Sequence, residues 1–157
     1  MVTASRLDPS ELPDYSRLRA EANWDYTLQN YIESRGSLEL AVAFAKLYWP
    51  DLVEYRDCIL RADGFSADLF ETWWQRTDGN RTEIECVLNM LHVREVVPSD
   101  TALLPDSVIR YLGRTIAEMW HTKAQLLFPG RRVIARFEDT AEEDTNSEPT
   151  VLLFQQR

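Results

Sequence analysis

Apolar residues recur at helical spacing through most of the first 127 positions. Residues 14–35 carry one apolar stripe and then a second, shifted one, so we predict a break in the helix near residues 23–25. Residues 38–49 are apolar on almost every side, which is typical of a helix in the middle of a domain. Pro50 ends that helix and can begin another over residues 51–62.

Two shorter helices and one long helix complete the helical part. Ser66 is placed to cap a helix that ends at the turn Asp78-Gly79, and Thr82 to cap another that ends near His92. The longest helix is predicted over residues 106–127, with Asp106 or Ser107 as its cap, and it ends before a Pro-Gly pair.

Beyond residue 130 the period of the pattern changes from 3.6 to 2. Residues 133–137 alternate as a half-buried strand does, and residues 150–155 indicate a second strand. Because a two-stranded hairpin alone is marginal in water, it must either pack on helices or recruit a third strand, for which residues 93–97 are a candidate. The predicted fold is α+β and predominantly helical: about six helices, with a small C-terminal antiparallel β-hairpin or three-stranded sheet packed on the last long helix.

The length and composition favour a single globular domain over residues 1–157, with residues 1–13 and 139–148 flexible. The chain has 157 residues, of which 45% are hydrophobic, enough for a full core without metal or disulfide. No segment has the apolar core of a signal peptide or the length of a membrane span, so we expect a cytoplasmic protein.

The net charge of the chain favours some classes of binding partner over others. The formal net charge is −9, which repels phosphate backbones and anionic lipid surfaces, so nucleic acid and membranes are disfavoured as partners. A basic protein partner is favoured instead. The simpler interpretation is that the charge only keeps the protein in solution.

An acidic loop in the predicted hairpin is the clearest candidate for partner binding. As a binding site it would steer a basic partner onto the protein, and otherwise it is a solvated tip that discourages edge aggregation. Its carboxylates are Glu138, Asp139, Glu142, Glu143, Asp144 and Glu148.

Catalytic and metal-binding signals are weak. Lys123 lies in the apolar stripe of the last helix, either as a snorkelling side chain or as a buried, paired amine. Glu118 and His121 have the Glu-x-x-His spacing of di-iron bundles, but no second motif accompanies them and they lie opposite the apolar stripe. These three residues are the weak catalytic candidates, and we expect neither a metal nor a cofactor.

The positions of the cysteines and tryptophans indicate that these residues pack in the core, and not that they act in catalysis or bind a metal. Cys58 and Cys86 have no CxxC spacing, so free thiols are favoured over a disulfide or a zinc site, and no motif marks a Cys-His nucleophile. The pairs Trp73-Trp74 and Tyr48-Trp49 fall in apolar stripes, which favours core positions and leaves open that one ring of each pair lies at an interface.

These observations favour a non-enzymatic acidic interaction protein that binds a basic protein. Small acidic inhibitors of basic toxins, including bacterial immunity proteins, work by this physics, which is an analogy of charge and size. One alternative is a small enzyme, a hydrolase or transferase of unknown chemistry, which should have a deep pocket with convergent polar groups. The other is a structural subunit of an oligomer, which should expose a contiguous apolar face.

Overall fold

The computed structural model describes residues 7–96, 104–139 and 148–157, and the fold in these ranges is α+β and predominantly helical. These ranges contain six α-helices: α1 (Pro13–Glu21), α2 (Leu28–Arg35), α3 (Leu38–Tyr48), α4 (Ala67–Arg76), α5 (Arg81–Leu88) and α6 (Asp106–Leu127). The same ranges contain five strands: β1 (Leu52–Tyr55), β2 (Cys58–Arg61), β3 (Leu91–His92), β4 (Val133–Glu138) and β5 (Thr150–Gln155). Among the described residues, no helix is both long enough and apolar enough to span a membrane.

The first and last helices agree with the sequence pattern. The break predicted near residues 23–25 separates α1 from α2, and α6 has the predicted bounds. The expected cap of α6 is wrong, because Pro105 occupies the N-cap position and no side chain caps the helix. The Ser107 hydroxyl instead donates a hydrogen bond of 2.7 Å to Glu11, in the 3₁₀ turn Pro9–Glu11.

The helix predicted over residues 51–62 is wrong, because this segment forms the β1–β2 hairpin. Tyr55 and Cys58 are paired, so only Arg56 and Asp57 form the loop, and both have positive φ, at 48° and 65°. Two such residues in sequence give a type I′ turn, whose twist matches that of an antiparallel hairpin. Every residue of β2 is buried, which agrees with the apolar run of Cys58, Ile59 and Leu60 that precedes Arg61.

The C-terminal hairpin forms as predicted and gains a third strand. β4 and β5 pair antiparallel over their whole length, and β3 pairs with the start of β5, so the order is β3-β5-β4. The third strand ends just before the expected segment, whose Val93–Val96 part is a 3₁₀ turn. The sheet packs on α6 so closely that a Cβ on Gly113 would lie 2.3 Å from the Phe137 ring.

The main core lies between α6 and this sheet. Trp120 of α6 is fully buried, and its indole N–H donates a hydrogen bond of 2.8 Å to the carbonyl of Leu47. Around it are the buried side chains of Ile59, Val93, Ile109, Ile116, Val133, Val151 and Leu153. A smaller cluster under α4 contains Cys58, Leu60, Phe70 and Ile84.

Helix α5 begins earlier and ends earlier than expected. Asn80, not Thr82, caps it by accepting a hydrogen bond from the backbone N–H of Glu83, and its last residue is Leu88 rather than one near His92. Two buried polar residues, Glu85 in the helix and Asn89 at its C-cap, are one helical turn apart and therefore project from the same side.

Glu85 and Asn89 fill the space between the facing edges of β2 and β5, and we call this pair the interstrand bridge. Glu85 accepts hydrogen bonds of 2.8 Å from the backbone N–H groups of Ile59 and Gln155. The Asn89 amide donates to the carbonyls of Ile59 and Leu153, both at 2.9 Å, and its oxygen accepts from the N–H of Arg61. The bridge thereby joins the two sheets through side chains of a helix.

Candidate interaction surface

Helix α3 forms for clear local reasons. The hydroxyl of Ser37 caps it by accepting a hydrogen bond of 3.1 Å from the N–H of Leu40, and most of its residues are strong helix formers. Its contact with the body of the protein is at its C-terminal end, where Tyr48 packs on the main core and Leu47 accepts the Trp120 hydrogen bond. In the described part of the chain, every residue in the N-terminal half of the helix is exposed.

The expectation that this helix lies in the middle of the domain is wrong. No residue of α3 is buried, although the segment is apolar on almost every side. Leu38 is 83% exposed, Val42 is 56% exposed and Leu40 is 54% exposed. Helix α3 is thus an apolar element at the periphery of the described fold.

Helix α2 lies beside α3 and is also unburied. It is held to α1 by an ion pair of 3.1 Å between Arg35 and Asp14, and by an edge-on ring contact between Tyr15 and Tyr31 with centroids 5.7 Å apart. No residue of α2 is buried, and Ile32 is 59% exposed. The two helices therefore present their apolar side chains together.

A groove of about 550 Å³ runs between these helices, and we call it the α2–α3 groove. Its apolar lining consists of Tyr31, Ile32, Leu38, Leu40, Ala41 and Phe44. A contiguous apolar surface of this kind marks a binding site more often than a scatter of single apolar residues does.

A second apolar feature of α3 adjoins the groove and shares Leu38 with it. At 100° per residue, the side turned away from Phe44 and Tyr48 bears a row of residues that we call the outer stripe. Its members are Leu38, Val42, Ala45 and Trp49, and all four are exposed. Sequence reasoning missed this surface, although their spacing of four, three and four residues is visible in the sequence.

Opposite charges lie along one edge of the outer stripe. Lys46 forms an ion pair of 2.6 Å with Asp51, and this hydrogen bond lowers the pKa of Asp51. Both side chains are about two-thirds exposed, so the pair contributes little to stability. Glu39 makes no hydrogen bond or ion pair with any residue in the described ranges.

The weak catalytic candidates do not converge on one site. Glu118 and His121 line an open cleft of about 440 Å³ between α6 and β4, together with Arg114 and Arg136. Lys123 points elsewhere: it is partly exposed, and its ammonium group lies 5.2 Å from the centre of the Trp49 ring. Within the described ranges, no three His, Cys, Asp or Glu residues are grouped so that they could hold a metal ion.

The acidic loop is described only in part. Glu138 pairs with Arg136 at 2.5 Å, Asp139 pairs with Arg110, and Glu148 is exposed. Two of its carboxylates are thus matched by arginines of the same chain. Glu142, Glu143 and Asp144 lie outside the described residues.

Both cysteines are free thiols in packed surroundings. Burial raises the pKa of Cys58 to about 11, and it also raises the pKa of Cys86. A thiol with a raised pKa is a poor nucleophile at neutral pH. His92 is hydrogen-bonded to Thr150 at 3.3 Å, and neither cysteine is among its partners.

The comparisons with known proteins give no relative from which a function could be carried over. The chain matches no family model, no curated protein and no solved structure. The functional argument therefore rests on the surface itself.

Proposed function

We propose that this chain is a non-enzymatic interaction protein that binds a protein partner through the apolar surface of α2 and α3. The observation that carries the proposal is that α3 is apolar on almost every side and yet has no buried residue. Burial of each exposed leucine or valine by a partner would contribute up to about 1.5–3 kcal/mol to the free energy of binding. An interface is the use that best fits such a helix.

The polar features elsewhere favour this function over catalysis. The α6–β4 cleft contains Glu118 and His121, but Lys123 lies beside Trp49 and Cys58 lies in the cluster under α4. Every described side-chain nitrogen or oxygen that is fully buried already has a hydrogen-bond partner within the protein. Among the described residues, therefore, no fully buried polar side-chain atom is unpaired and available to a substrate.

Photo-crosslinking from two matched positions tests the proposal. A photoreactive phenylalanine analogue is introduced at Val42 or, as a control, at Leu69 of α4, which is 42% exposed. We expect irradiation of cells that make the protein to give an adduct of discrete mass from position 42 only. The adduct should disappear when Leu38 is also replaced by lysine, because a charge in the apolar surface would be costly to cover.

Two results would contradict the proposal. One is the absence of a discrete adduct from position 42, and the other is the same adducts from both positions, which would indicate nonspecific collision. The analogue at position 69 reports collision because Leu69 lies outside α2 and α3.

Binding of a basic protein through the acidic loop stays a prediction. Electrostatic steering acts mainly on the association rate, whereas covered apolar groups determine most of the affinity. Neutralising Glu142, Glu143 and Asp144 together should therefore slow association with a basic partner and reduce its dependence on salt. An unchanged association rate would contradict a binding role for this loop.

A further inference from the structure

The outer stripe of α3 has the spacing of a coiled-coil seam. Its four residues are separated by four, three and four positions, and at 100° per residue they fall within about 60° of one another. Trp49 follows the last helical residue directly and completes the row. Such a seam packs best against another helix that carries the same spacing.

The charges beside the stripe distinguish between possible partners for that seam. Glu39 follows Leu38 by one position and Lys46 follows Ala45 by one position, so the two charges occupy equivalent places one heptad apart. In an antiparallel pair of helices, equivalent places of this kind face each other across the seam. A twofold axis would bring Glu39 of one copy to Lys46 of the other, and the same contact would occur twice.

We propose that the partner of α3 is a second copy of this chain, with the two α3 helices packed antiparallel along their outer stripes. This inference rests on the proposed function and names the partner of the same surface. In a parallel pair, Lys46 would face Ala41 and Glu39 would face a position before α3 begins, so neither charge contact would form. The antiparallel arrangement also supplies Glu39 with a cationic partner, and the exposed Lys46 can reach a second carboxylate beside Asp51.

The size of the contact determines how strong the association should be. Helix α3 has 11 residues and is therefore about 16 Å long, so each copy contributes few side chains to the seam. Small interfaces form weak and transient complexes. We expect a dimer that dissociates in the micromolar range.

Charge reversal combined with sedimentation equilibrium tests the pairing. Glu39→Lys alone would place two lysines together at each contact, so we expect self-association at low salt to weaken about tenfold. Lys46→Glu alone should have a similar effect. The double variant, Glu39→Lys with Lys46→Glu, restores opposite charges and should bring the dissociation constant back to within about threefold of the wild type.

Matched controls separate this effect from the change in net charge. Glu95→Lys and Arg132→Glu make the same changes in charge at exposed positions outside the stripe, and should leave the dissociation constant unchanged. Glu39→Lys is the decisive single variant, because Lys46→Glu also disrupts the pair with Asp51. Thermal unfolding verifies that each variant is folded.

The outcomes separate the failure of this inference from the failure of the proposed function. A monomeric wild-type chain at all concentrations, or a double variant no stronger than the single ones, would overturn the antiparallel pairing. If the adduct from Val42 then had a mass other than that of two copies, α3 would still bind a protein, and only its identity as a second copy would be wrong. A monomer without any adduct would overturn both.

Discussion

Strand β2 and helix α3 are both rich in apolar residues, but the fold places them in opposite environments. All four residues of β2 are buried, whereas no residue of α3 is. β2 has β1 on one side and the interstrand bridge on the other, so its edges and faces are covered. Among the described residues, helix α3 contacts the main core through Leu47 and Tyr48, near its C-terminal end. Apolar composition therefore indicates that burial of a segment is favourable, and the position of the surrounding elements determines whether the segment is buried within the same chain.

A substitution in the interstrand bridge, which covers one edge of β2, should lower the free energy of unfolding more than the other substitutions considered below. Glu85→Gln keeps the size of the side chain but replaces one acceptor oxygen by an NH₂ group among donors. It also leaves Arg157 without its buried carboxylate partner. We expect the free energy of unfolding in urea to fall by about 3–5 kcal/mol.

Glu83→Gln is the matched control on the same helix. Glu83 is exposed, so the change should be within about 0.5 kcal/mol. Equal shifts in the two variants would mean that the bridge adds nothing beyond an ordinary surface carboxylate.

The packing of α6 on β4 should give the next largest effect. Gly113→Ala would place a methyl group 2.3 Å from the Phe137 ring, and the resulting displacement should cost about 1–3 kcal/mol despite the better helix propensity of alanine. Gly130→Ala, which has no atom within 4 Å of its added Cβ, should be near neutral in the same urea titration. Recovery in Gly113→Ala with Phe137→Leu would confirm the ring as the cause, and a neutral Gly113→Ala would disprove the close contact.

Substitutions in α3 should have the smallest effect on stability. Leu38→Ser with Val42→Ser removes two exposed apolar side chains, and in dilute monomer we expect the free energy of unfolding to change by less than about 0.5 kcal/mol per site. Leu60→Ala in β2 should cost about 2–5 kcal/mol, because Leu60 is only 1% exposed. Comparable losses in α3 and β2 would remove the contrast between the two regions.

The sequence predicts those parts of the fold whose pattern is local and long. Helix α6 extends over the predicted residues, and the alternation at residues 133–137 identifies β4. The β1–β2 hairpin was missed because its loop, Arg56-Asp57, lacks the glycine or asparagine that usually marks a turn with positive φ. The count of six helices agrees only because the break after α1 adds one helix and this hairpin removes another.

The remaining features depend on contacts distant in sequence. Glu85 and Asn89 appear as ordinary polar residues of a helix, and their role is set by strands 26 to 70 positions away. The candidate surface on α3 was missed for a different reason. Its apolar composition predicts burial. The local sequence does not reveal that the described part of the chain leaves this helix unburied.

The interstrand bridge also predicts an order of events during folding. Its contacts to β2 span 26 to 30 positions, whereas those to β5 span 64 to 70. Closing the shorter loops costs less entropy, so the β1–β2 hairpin and α5 can assemble first. The Glu85 carboxylate and the Asn89 amide can then form hydrogen bonds with β5. The fold is complete when β5, the central strand of the C-terminal sheet, binds these two groups.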